Sequence, residues 1–113
     1  MKRFRLFTSL LVSLGLGVSV SAQASQWVGT VVALSARSDG VQYVLITGSR
    51  STKPSCATYE YMMISDEHSD TGKAQFAMLL SAYMSGKVVY VTGTGTCVRW
   101  GDGEDILVVT LSP

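Results

Sequence analysis

The stretch TGKAQFAMLLSAYMSGKVVYVT, residues 71–92, changes its hydrophobic period once, and that change decides the fold. In its first half apolar residues fall at Phe76, Leu79, Leu80, Tyr83 and Met84, the i, i+3, i+4, i+7, i+8 spacing of one helical stripe. The spacing predicts an amphipathic helix over residues 74–85 with that stripe turned inward. Ser69, Asp70 or Thr71 can cap its start, and Gly86 offers a left-handed C-terminal stop. From Lys87 the residues turn β-branched and aromatic (KVVYVT, 87–92), which predicts a strand.

Upstream, WVGTVVAL (27–34) and VQYVLIT (41–47) flank SARSDG (35–40), whose closing Asp39-Gly40 is a turn signal, so the pair predicts a hairpin. Residues 48–55 are polar, hold turn formers and lack periodicity, as a loop does. TYEYMMI (58–64) predicts a third strand, with Tyr59, Tyr61 and Met63 on one face and Glu60, Met62 and Ile64 on the other. Downstream, ILVVTL (106–111) is apolar on both faces, which predicts a central strand. The order is β-β-β-α-β-β. Five strands of this length are too few for two sheets and enough for one small closed barrel, with the helix plugging an end or covering an edge. The expected fold class is therefore mainly β with one helix, a small five-stranded OB-like barrel over residues 25–113.

Ahead of it, Lys2, Arg3 and Arg5 precede an apolar run over residues 6–20 and then Ser21-Ala22-Gln23-Ala24, with small residues where an export peptidase cuts. Residues 1–24 read as a cleavable signal peptide, whose apolar run over residues 6–20 is too short for a membrane span of roughly 20 apolar residues. The expected location is secreted or periplasmic, with no stable membrane insertion once the signal is removed. In an oxidising compartment Cys56 and Cys97 most simply form one disulfide. By the chain-entropy relation it would stabilise the fold by roughly 4 kcal/mol. The chain as a whole carries nine Lys and Arg against eight Asp and Glu. Removing the three cations of the signal leaves six against eight, a balance of −2. Such a surface does not attract nucleic acid, whose binding rests on neutralised phosphates, so no nucleic-acid partner is expected.

Catalytic patterns are missing. His68, the single histidine, lies in Asp66-Glu67-His68-Ser69-Asp70, which lacks the alternation and distal Glu of a calcium loop and reads as a solvated entry to the helix. No G-x-S-x-G elbow accompanies it. Asp102, Glu104 and Asp105, or Glu60, are the only candidates for paired-carboxylate chemistry, and nothing fixes their separation. Gly93-Thr94-Gly95-Thr96 opens no helix and lacks the G-K-[ST] ending of a phosphate loop, so these glycines read as bending a strand or allowing close approach. Neither an enzyme nor a metal or cofactor site is expected.

Recognition remains. Trp100 lies in VRWGDGED (98–105), beside Arg99 and Asp102 in a glycine-rich loop. Two readings stay open: the ring folds back to cap the barrel end, or it stacks on an apolar ligand face while Arg99 and Asp102 take hydroxyls or a carboxylate. Tyr59 and Tyr43 are further candidate contacts, against core or subunit-interface roles. Trp27, at the mouth of the first strand, reads as packing.

The signal, the element order and a disulfide from just before strand three to just after strand four together resemble the B subunits of AB5 toxins of the pertussis and subtilase-cytotoxin type. The stretches carrying the resemblance are CATYEY (56–61), the helix over 74–85, and SGKVVY (85–90) leading to Cys97. It implies an OB-type barrel, a homopentameric ring and binding of host glycans, often sialylated. The expected function is thus an exported, non-catalytic binding module, a glycan-binding toxin-subunit-like protein. The alternative is a periplasmic or envelope domain that binds a protein partner.

Overall fold

The computed structural model describes residues 15–17 and 24–112. The expected signal peptide, residues 1–24, falls almost wholly outside them. The elements are β1 (Gln26–Ala36), β2 (Gln42–Ile46), β3 (Ser49–Ser51), β4 (Met62–Met63), α1 (Asp70–Ser85), β5 (Val88–Gly93) and β6 (Glu104–Leu111). β1 is long enough to serve two neighbours in turn. Its first half pairs with β5 and its second half, beyond an irregularity between Val31 and Ala33, pairs with β2. A β-bulge of this kind sharpens the local twist, which is how a single strand bends round a small barrel. β2 pairs with β4, β4 runs parallel to β6, and β6 pairs antiparallel with β5, which closes the ring back on β1. The result is a closed, mixed, five-stranded OB-like barrel with the helix between β4 and β5. β3 continues the line of β2 along β1, with Trp27 opposite Arg50.

Three expectations need correcting. The polar segment 48–55 contributes the short strand β3, because its backbone groups can complete the ladder that β2 leaves off at Ile46. The third strand shrinks from residues 58–64 to Met62–Met63. Its upstream part is turned: Ala57 N–H bonds to Pro54 O, Thr58 N–H to Cys56 O, and Tyr59 N–H crosses to Asp102 O. The alternation still holds, with Met62 and Ile64 in the barrel core and Met63 on the opposite side beneath Tyr61.

The third correction concerns the helix. Its cap is Ser69, whose hydroxyl accepts from Gly72 N–H, and Gly86 ends it at φ 68°. Its buried face is Gly72, Gln75, Leu79 and Ala82, roughly a quarter turn from the expected stripe. Leu79 is fully buried and Phe76 partly so, while Leu80, Tyr83 and Met84 stand exposed at 46%, 48% and 76%. Small residues won the interface. Gly72 packs against the backbone at Asp66, Ala82 lies in the core, and Gln75 Nε2 donates to Leu107 O at 3.1 Å, tying the helix to β6. Hydrophobic spacing alone misses a face chosen for close approach.

The core is Trp27, Val31, Val44, Ile46, Met62, Ile64, Leu79, Ala82, Val89, Val91, Ile106 and Val109. Trp27 is packing, as expected. β6 is central as expected, paired on both sides, although it begins at Glu104 and leaves Leu107 and Val108 half exposed around a register shift opposite Thr92 and Gly93. Cys56 and Cys97 are joined, with Cα atoms 6.1 Å apart. Among the described residues no helix is long and apolar enough to cross a membrane.

Candidate functional site

The first residues of β6 and the turn before them organise everything of chemical interest. Asp102 Oδ1 accepts the Tyr61 phenol. Gly103 leaves the space into which the Tyr61 ring and Met63 Sδ press, and a side chain there would collide with both. Glu104 points the other way and is fully buried. Asp105 accepts Val98 N–H at 2.8 Å and Arg99 N–H at 3.0 Å, fixing the loop that carries Trp100. The three carboxylates considered for paired catalysis are thus divided among three separate sets of donors.

Around Asp102 an aromatic site takes shape. Trp100 bridges to Gly103 across a tight turn, half-buried. Tyr43 on β2, opposite Met63 of β4, brings its ring to 5.2 Å from that of Tyr61. Tyr59 stacks on the outer side of Tyr61, with centroids 5.6 Å apart and planes at 11°. Arg37, at the end of β1, lays its guanidinium 4.8 Å from the centre of the Trp100 ring and pairs with Asp39 at 2.8 Å. Between them Arg37, Val41, Tyr43, Tyr61, Met63 and Trp100 line a cavity of about 70 Å³. Burial first, then the hydrogen bond to Asp102 and its charge, push the Tyr61 phenol up to about 12, against a smaller lowering by Trp100. The hydroxyl therefore stays protonated and locked as a donor at neutral pH.

Of the residues singled out in the sequence, Trp100 and Tyr43 line the cavity, Asp102 anchors its Tyr61 wall and Tyr59 backs it. Arg99 does not take part. Its Nε lies 2.8 and 3.1 Å from the two carboxylate oxygens of Glu67. The Glu67 carboxylate holds the Arg99 guanidinium, and the cavity lining does not include it. Arg37 supplies the cation instead. Its signal was the Asp39-Gly40 turn, which returns β2 beside β1 and places Arg37 at the hairpin end. Residues 66–70 form the entry to the helix: Asp66 Oδ1 accepts His68 N–H and Asp66 O accepts the Ser69 hydroxyl. Among the described residues no group of three His, Cys, Asp or Glu is placed to hold a metal ion.

A second polar site lies across β6. Glu104 accepts Ser25 N–H at 3.1 Å, the Ser25 hydroxyl, Gly95 N–H at 2.9 Å and Arg50 Nη2 at 3.0 Å. Both loop glycines serve it. Gly93 has no side chain to strike the carboxylate, and Gly95, at φ 83°, turns its N–H toward it. Burial pushes the Glu104 carboxyl up, and the bonds from Ser25, Arg50 and Gly95 outweigh it, holding the group below its ordinary 4.5. No protein-family model, no curated protein and no solved structure gives a match to this chain, so the barrel and its two polar sites stand as the description of it.

Proposed function

We propose that this chain is an exported, non-catalytic binding module whose ligand site is the cavity between Arg37, Tyr43, Tyr61 and Trp100, and that the ligand is a glycan. The observation that carries the reading is the convergence of three aromatic rings and one half-exposed guanidinium on a single small concavity. Aromatic faces accept the C–H face of a sugar ring, while Arg37 can donate to hydroxyls or a carboxylate at its edge and Asp102, behind Tyr61, can accept only from hydroxyls. A volume of about 70 Å³ admits one edge of a sugar, so a single site binds weakly. The resemblance to toxin B subunits fits such a module, because a homopentameric ring multiplies weak sites through effective concentration. The disulfide fits an oxidising extracytoplasmic location, secreted or periplasmic.

The test is a glycan array probed with the oxidised protein and with Trp100→Ala. Signal present in the first and lost in the second, at unchanged circular dichroism, is the expected result. Identical profiles would remove the cavity from the reading.

One observation favours the alternative, an envelope domain with a protein partner. Val28, Val88, Tyr90 and Val108 lie on the outer face of neighbouring strands β1, β5 and β6, all between 37% and 44% exposed. Light scattering after gel filtration separates the two. A pentamer supports the ring, and a monomer with a silent glycan array supports the protein partner.

A further inference from the structure

Ser25 is completely buried, and its neighbour Ala24 is exposed. Each polar atom of Ser25 is engaged. The N–H and hydroxyl donate to the two oxygens of Glu104, the hydroxyl accepts Arg50 Nε at 3.2 Å, and the carbonyl accepts Gly93 N–H at 2.8 Å. Ser25 is thus tied into the folded frame on every side. Independently, the small residues Ala22 and Ala24 close the segment that carries the export pattern. Two unrelated kinds of information meet at the same peptide bond.

We propose that the Ala24–Ser25 bond is the processing site, and that the α-ammonium group released on Ser25 docks on Glu104 as a second cation beside Arg50. The reaction is a hydrolysis by an export peptidase, with water as co-reactant. The water oxygen bonds to the Ala24 carbonyl carbon, the C–N bond breaks, and the departing nitrogen takes a proton. At neutral pH the products are the Ala24 carboxylate and the Ser25 ammonium.

The nitrogen already stands 3.1 Å from Glu104 Oε2, so processing changes its charge without moving it. One N–H becomes three, and a neutral hydrogen bond to a buried carboxylate becomes charge-assisted. The charged groups around it are few. Arg50 comes from β3 and Glu104 from β6, while the Asp105 carboxylate next in sequence is turned to the 96–99 loop. Cleavage precedes folding, because in the folded chain the scissile nitrogen is covered and the Ala24 carbonyl accepts the Thr52 hydroxyl at 2.9 Å.

The inference rests on the export reading and is independent of the cavity. To test it, the full chain is expressed in an exporting bacterium, and the intact mass of the recovered oxidised protein is measured. The Ser25 amine is then acylated with a water-soluble active ester near neutral pH. A mass corresponding to residues 25–113, and acylation at least about tenfold slower than in a free peptide of the same first residues, are expected. A chain processed one residue earlier, beginning at Ala24, keeps the fold and should react at the peptide rate. Glu104→Gln, if it folds, should also lose the protection. A terminus at another residue, or equal reactivity of the Ser25 and Ala24 chains, overturns the docking. Retention of residues 1–24 overturns the export reading itself.

Discussion

Two arginine–tryptophan pairs lie on opposite sides of β6, built from the same parts. Arg37 covers Trp100 at 4.8 Å and pairs with Asp39 at 2.8 Å, and Arg50 covers Trp27 at 5.0 Å and pairs with Glu104 at 3.0 Å. Their surroundings differ completely. The Arg37 and Asp39 side chains are each 45% exposed, whereas those of Arg50 and Glu104 are 6% and 0% exposed. In water an ion pair of this kind contributes little, and either partner is free to exchange its contact for a ligand. In the interior, the carboxylate needs each of its four donors, and none is available for anything else. Burial alone turns one pair into a structural fastening and leaves the other open to solvent, where the proposed ligand would meet it.

The sharpest attempt to break this contrast is Glu104→Ala. It strands the Arg50 guanidinium, whose Nη1 already lacks a hydrogen-bond partner among the described residues. A loss of about 3–5 kcal/mol in urea unfolding is expected, enough to leave a domain of this size barely folded. Acidification should act on the same group more gently. The Glu104 carboxyl is held below 4.5 in the folded state, so its contribution is complete above that pH and disappears as pH falls through the folded value. Urea midpoints measured down the acid range should therefore drop in the native protein, and drop less steeply in Glu104→Gln.

On the recognition side the effects are smaller. With Tyr61 raised from 10.0 to about 12, its contribution is full below pH 10 and is lost as pH climbs toward 12. Ultraviolet titration should show one phenol ionising last, absent from Tyr61→Phe, which should cost about 1 kcal/mol through the bond to Asp102. Arg37→Ala should change stability by less than about 1 kcal/mol while weakening ligand binding. A larger stability loss there would erase the distinction between the two pairs.

The same contrast explains what was legible in the sequence. Runs of β-branched and aromatic residues predicted β1, β2 and β5, because such side chains suit a pleated, half-buried surface. The disulfide and the barrel followed from compartment and strand count. The helix face was misjudged because Gly72 and Ala82 carry no hydrophobic signal and yet permit the closest approach, and β3 was missed because Ser49–Ser51 joins the ladder through backbone groups alone. At the site, an aromatic ring in an otherwise polar loop drew notice to Trp100, and Tyr43 and Tyr59 were candidate contacts on predicted strands. Arg37 escaped because it lies far from Trp100 along the chain and only the fold brings the two together. Glu104 looked like one acid among three, since nothing in its spelling records the donors gathered from Ser25 ahead of β1, from β3 and from the 94–97 loop.

Tyr59 and Trp100 each follow a cysteine by three residues, and those cysteines are bonded to one another. The covalent link thus joins the root of the Trp100 wall to that of Tyr59, the ring that backs the Tyr61 wall, and its effect reaches beyond fold stability. With the bridge closed, both walls stand assembled before any ligand arrives, and binding is spared the conformational entropy of bringing them together. With it open, each wall becomes the end of an independent loop, and that entropy returns as lost affinity even in a chain whose barrel survives. If the cavity is the binding site proposed above, preorganisation of this kind ties recognition to oxidation, with weaker binding in a reducing compartment than where the disulfide forms.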